Sequence, residues 1–124
     1  MTELRTGIDL VDINRVAELI EKFGNTFLRE TWTAQEITEC DANVDRLAAR
    51  WAAKEATIKA LHSGLEEISP TDIWVSTADS GVPELHLDGG AALKARQLGL
   101  SQWSVSLTHE QGFAAAVVVA LGVD

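Results

Sequence analysis

The sequence predicts an α+β fold, and three observations carry that prediction. Apolar residues recur at helical spacing through the first half, two turn-bounded β-type segments follow, and the last quarter holds an alternating segment and a continuous apolar run. In order, Gly7-Ile8-Asp9-Leu10-Val11-Asp12-Ile13 reads as a short strand. Val16, Leu19 and Ile20 place a helix from about Asn14 to Phe23, which Gly24 stops, and a short helix follows around Phe27 and Leu28. Thr33 with Glu36 three residues on is a capping-box signature for a helix to about Cys40. The longest helix is expected from about Asn43 to Leu61.

Pro70-Thr71-Asp72 introduces a strand, Ile73 to Thr77, and Asp79-Ser80-Gly81 supplies the turn before a second strand around Glu84 to Leu87. That pair reads as a hairpin. An alanine- and leucine-rich helix from about Gly90 to Leu98 is closed by Gly99. Trp103, Val105 and Leu107 alternate with Ser104, Ser106 and Thr108, the pattern of a strand with one face buried. The final run, Phe113 to Leu121, is apolar on both faces and is expected to be a central strand.

The 124 residues are read as one domain, 1–124, because the chain holds no repeat, low-complexity tract or linker and suffices for one core. Cys40 is the only cysteine, so neither an intrachain disulfide nor a cysteine-rich metal site can be built. Met1-Thr2-Glu3-Leu4-Arg5-Thr6 lacks the features of a signal peptide, and Phe113–Val123 is too short to span a bilayer, so a soluble cytoplasmic protein is expected. The net charge of −9 argues against a general affinity for nucleic acid or anionic membranes. Eight of the ten Lys and Arg residues lie at or before Lys59, so any basic face belongs to the first half.

On a helical wheel the long helix carries two buried-type stripes: Leu47, Trp51, Ile58 and Leu61 on one side, Ala49, Ala53, Ala56 and Ala60 on the other. Glu55 falls in the seam between them, with Lys59 one turn later. Two readings stay open. One is an i,i+4 ion pair worth a few tenths of a kcal/mol. The other is a partly buried carboxylate that needs a cation or hydrogen bonds to offset its desolvation. Asp9, a carboxylate in an otherwise apolar strand, offers a second ligand for a cation such as Mg²⁺, which takes one or two carboxylates plus waters and substrate phosphates. His109 begins a turn, Gly81-Val82-Pro83 reads as a turn, Gly64 as a helix stop, and His62 and His86 as surface residues.

Together, Gly7 through Arg15, Arg50-Trp51-Ala52-Ala53-Lys54-Glu55-Ala56 with Lys59-Ala60-Leu61, Gly81-Val82-Pro83, and Trp103 through Glu110 resemble the holo-acyl-carrier-protein synthases. The motifs keep the family's order and intervals over nearly the whole chain. The resemblance implies the 4′-phosphopantetheinyl transferase fold, with helices on a small antiparallel sheet, and a homotrimer with active sites between subunits. It implies Mg²⁺ held by Asp9 and Glu55; Lys59, Gly64, Pro83 and His109 near coenzyme A, with Lys59 and His109 facing its phosphates; and Arg15 on the helix that docks the acyl carrier protein or carrier domain.

The implied reaction moves 4′-phosphopantetheine from coenzyme A to a carrier serine, releasing adenosine 3′,5′-bisphosphate. In it Glu55 acts as general base or only as a metal ligand, and Lys59 and His109 stabilise the leaving phosphate. Four positions depart from the family pattern. Trp51 stands for a phenylalanine and is expected to alter packing rather than chemistry, Arg5 and His62 stand for glycines, and Val82 for a lysine. No GxxxxGK[ST] phosphate loop occurs, which disfavours a nucleotide enzyme of that class.

Overall fold

The computed structural model describes residues 2–62 and 68–123. Its elements are β1 (Glu3–Asp12), α1 (Ile13–Thr31), α2 (Ala34–Cys40), α3 (Val44–Ala60), a 3₁₀ turn (Pro70–Asp72), β2 (Ile73–Thr77), β3 (Pro83–Leu87), α4 (Gly89–Gln97), β4 (Gln102–Glu110) and β5 (Phe113–Gly122). Every predicted element is present. The Thr33–Glu36 capping box forms, with Glu36 N donating to Thr33 Oγ1 and Thr33 N to Glu36 Oε1. Gly24 is the one non-helical residue inside α1, and its φ of 61° divides the helix into the two pieces the sequence suggests.

β1 is longer than its apolar core foretold, because pairing rather than composition sets its length. It matches β5 antiparallel over its full span, from Glu3 opposite Gly122 to Asp12 opposite Phe113. The sheet order is β1-β5-β4, so β5 is central as expected, and β2 and β3 form the separate hairpin.

α3 lies on the inner face of the three-stranded sheet, and small residues bring the two backbones together. Ala52, Ala53, Ala56 and Ala60 form a buried cluster with Ala116 and Val118 of β5. At Gly7 the approach is closest: a Cβ there would overlap the carbonyl oxygen of Ala56 and lie 3.1 Å from the amide nitrogen of Ala60. Two further clusters flank this contact. One joins Val16 of α1, Trp32 and Leu47, the other Ile58, Leu61, Ile73 and Leu100.

The outer face of the sheet departs from expectation. On β5, Ala114, Ala116, Val118 and Ala120 are buried, whereas Phe113, Val117 and Val119 on the other side are 49%, 38% and 40% exposed. Leu4, Ile8 and Leu10 of β1 extend the same open face. Within one chain the central strand is therefore covered on one side only. Among the described residues no helix is long and apolar enough to cross a membrane.

Candidate active site

An open cleft of about 510 Å³ lies where β1, α1 and α3 meet, lined among others by Asp9, Asp12, Arg15, Trp51, Glu55 and Phe113. Asp9 shares the inner face of β1 with Gly7, two residues earlier, and Gly7 is the point where α3 passes against the strand. Glu55 adjoins Ala56, the residue Gly7 touches. The glycine thus brings two carboxylates from distant parts of the chain to one cleft. Asp12 is committed to structure, capping α1 by accepting the Asn14 amide at 2.9 Å.

Lys59 does not pair with Glu55. Its Nζ donates to the Ile8 carbonyl at 2.8 Å and to Asp9 Oδ1 at 3.1 Å, crossing from α3 to the edge strand. The side chain is 56% exposed, so this face of α3 is open rather than doubly packed. Glu55 instead accepts from Trp51 Nε1 at 3.2 Å on Oε1, and among the described residues its Oε2 has no hydrogen-bond partner. The departure at Trp51 thus reaches a chemistry-bearing residue and not only the packing, because an indole carries an N–H that phenylalanine lacks.

The other expected residues lie elsewhere in the chain. His109, near the end of β4, has Nδ1 3.9 Å from Asp45 Oδ2, both side chains half-exposed, and does not line the cleft. Pro83 opens β3 opposite Thr77. Gly64 lies outside the described residues. The structure therefore brings Asp9, Glu55, Lys59 and Arg15 together, and within a single chain it leaves His109 and Pro83 apart from them.

Two histidines read as plain surface residues have partners. His62 Nδ1 is 3.0 Å from the Arg5 guanidinium, so two of the departures from the family pattern touch each other. His86 stacks on Trp74 with ring centroids 3.9 Å apart and lies 2.7 Å from Ser76 Oγ.

Sequence reasoning missed the buried pair behind the site. Lys54, one residue before Glu55, is 0% exposed and donates to Glu36 Oε1 at 2.6 Å, to Pro70 O at 3.1 Å and to Ile73 O, while Glu36 Oε2 accepts from Val75 N. Three donors meet three acceptors, so the ammonium is satisfied. Burial pushes its pKa below the ordinary lysine value, with Glu36 offsetting part of that shift. A signal was available, since Lys54 falls on the Leu47–Ile58 stripe of the wheel. Arg50, a turn before Lys54, is likewise nearly buried and bonds Val75 O and Thr77 Oγ1; with Glu39, Arg46 and Thr77 it lines a second cleft.

Among the described residues no group of three or more His, Cys, Asp or Glu side chains could hold a metal ion. Of the three carboxylates that line the cleft Asp12 caps α1, which leaves Asp9 and Glu55 as donors, with one oxygen of Glu55 open. That suits Mg²⁺, whose remaining positions go to water and phosphate, and does not suit an all-protein cage.

A family model described as the 4′-phosphopantetheinyl transferase superfamily matches residues 5–118. The chain belongs to this superfamily. Within it, the chain is 41% identical to a holo-[acyl-carrier-protein] synthase of Herpetosiphon aurantiacus, covering 96% of this chain and 99% of that one. It is 39% identical to a holo-[acyl-carrier-protein] synthase of Gloeobacter violaceus, covering 95% and 92%. Among solved structures it resembles the Helicobacter pylori holo-[acyl-carrier-protein] synthase in complex with coenzyme A, with a TM-score of 0.84, 34% identity and coverage of 93% and 98%. The α+β architecture inferred from periodicity is thus the one these phosphopantetheinyl transferases share.

Proposed function

We propose that the protein transfers the 4′-phosphopantetheine arm of coenzyme A to a serine of an apo-acyl-carrier protein or carrier domain, releasing adenosine 3′,5′-bisphosphate. The observation that carries the reading is the convergence of Asp9 and Glu55 on one cleft beside Arg15, with Lys59 at its edge. Relatives of near-equal length that are named as holo-[acyl-carrier-protein] synthases support it.

In this reading the carrier serine oxygen attacks the β-phosphorus of coenzyme A as the bond to the bridging oxygen breaks. The serine proton passes to the carboxylate of Glu55, and the electron pair of the broken bond leaves with the adenosine bisphosphate. Asp9 and Glu55 would hold Mg²⁺, which would supply charge neutralisation to the pyrophosphate, the dominant need in such transfers. Lys59 supplies a cation that Asp9 and the Ile8 carbonyl hold in place. His109 and Pro83, apart from the cleft in one chain, serve a neighbouring subunit's site. The open apolar face of β1 and β5 supports the homotrimer that this requires, since a patch of that kind marks an interaction surface. Arg15 gives an acidic protein a local cation against which an acidic carrier can dock.

The test is to incubate the protein with coenzyme A, Mg²⁺ and an apo-carrier and weigh the carrier intact. The carrier gains the mass of the arm, and Asp9→Asn and Glu55→Gln each slow transfer by about a hundredfold or more. Near-normal rates in both variants would refute the roles given to these carboxylates. A carrier of unchanged mass with wild-type protein would refute the activity.

A further inference from the structure

Two aromatic rings pack against Trp51 on the side away from the cleft. Its ring is 6.0 Å from that of Trp32, nearly perpendicular to it, and 5.5 Å from that of Phe27 at 58°. Trp32 is itself fixed, 1% exposed, edge-on to Phe27, with Nε1 donating to the Leu47 carbonyl. A three-ring cluster from α1, the α1–α2 connection and α3 therefore fixes where the Trp51 indole N–H points. It points at Glu55 Oε1, one helical turn on. Packing alone does not require an N–H there, since its direction matters only to the acceptor.

A glutamate at an open cleft samples several rotamers, and ordering such a side chain is costly in entropy. A charge-assisted hydrogen bond to one oxygen removes that freedom and leaves the second oxygen for the cleft. We propose that Trp51 is a positioning residue for the transfer reaction, its indole N–H holding Glu55 Oε1 so that Oε2 faces the cleft. The proposal rests on the transferase reading above for its kinetic consequence, but the hydrogen bond can be read in the protein without substrate or metal.

Two measurements test it. In the first, Trp51→Phe keeps an aromatic ring against Phe27 and Trp32 and removes the donor. Expected are a fall in kcat of about tenfold or more, the scale of a lost hydrogen bond to a charged group, with both KM values within about twofold and little change in Tm. If Trp51 acts through Glu55, adding Trp51→Phe to Glu55→Gln causes little further loss. A folded Trp51→Phe protein with unchanged or raised kcat overturns the proposal, as does full additivity with Glu55→Gln.

In the second, ¹⁵N NMR of the free protein resolves the indole N–H groups of its four tryptophans. Glu55→Ala should shift the Trp51 resonance and speed its exchange with water, leaving the buried Trp32 resonance in place. An unmoved Trp51 resonance overturns the proposal even if Trp51→Phe fails to fold. If the wild type transfers nothing while the resonance shifts, the transferase reading has failed and the positioning contact stands.

Discussion

Gly7→Ala places one new atom where β1 and α3 leave no room for it. The new Cβ would overlap the Ala56 carbonyl oxygen, lie 2.8 Å from the Ala56 carbonyl carbon and 3.1 Å from Ala60 N. Non-bonded heavy atoms settle at about 3.5 Å, so relieving the overlap with the carbonyl oxygen requires β1 and α3 to part by about 1.5 Å. Overpacking of this kind costs about 1–3 kcal/mol, and backbone on both sides of the contact puts the substitution at the upper end. For a chain of this length that corresponds to a Tm lower by about 10 °C. The same displacement separates Asp9, two residues from Gly7, from Glu55, adjacent to Ala56. A misplacement of about 1 Å costs about a hundredfold in rate. Thermal unfolding by circular dichroism, and transfer measured by carrier mass well below the variant's own Tm, read the two effects separately. A Tm within about 2 °C of wild type together with wild-type turnover would refute the claim that this close approach builds the site.

Arg15→Glu should raise the KM for the carrier about tenfold or more while leaving that for coenzyme A within about twofold, because interface charge acts on encounter and register; an unchanged carrier KM removes Arg15 from the docking surface. Lys54→Met leaves Glu36 as an unpaired buried charge and should cost about 3–5 kcal/mol in urea unfolding, with much of the loss recovered in Lys54→Met/Glu36→Leu. Because burial lowers the Lys54 pKa, the unfolded chain binds more protons between that lowered value and 10.5, and the contribution of Lys54 to stability rises with pH through that window. Comparing wild type and Lys54→Met at about pH 7.5 and about pH 10 should show the gap between them widening, and a narrowing gap would refute the sign. If sites form between subunits, mixing inactive Asp9→Asn and His109→Ala proteins should restore about a quarter of the activity, the share of sites that draw both intact residues from different protomers. No recovery after demonstrated subunit exchange would count against shared sites.

The order and kind of the elements are legible in the sequence because their signals are local. The Thr33–Glu36 box, the Gly24 break, the Asp79-Ser80-Gly81 turn and the alternation from Trp103 each act within a few residues. Motif order also determined the family, and with it the expectation that Asp9 and Glu55 work together. Which groups touch follows from the folded chain alone. Lys59 crosses to Asp9 instead of pairing along its own helix, Lys54 is sealed against Glu36 instead of standing in water, and Trp51 donates to Glu55. A helical wheel gives the direction in which each side chain leaves the axis but not what waits there. For Lys59 what waits is the edge strand β1, for Lys54 it is α2 and β2, and for the Glu55 cleft the distance is set by a missing methyl group at Gly7, forty-eight residues earlier in the chain. Contacts between segments so far apart depend on how closely their backbones pack, and that is a property of the folded chain rather than of any local pattern.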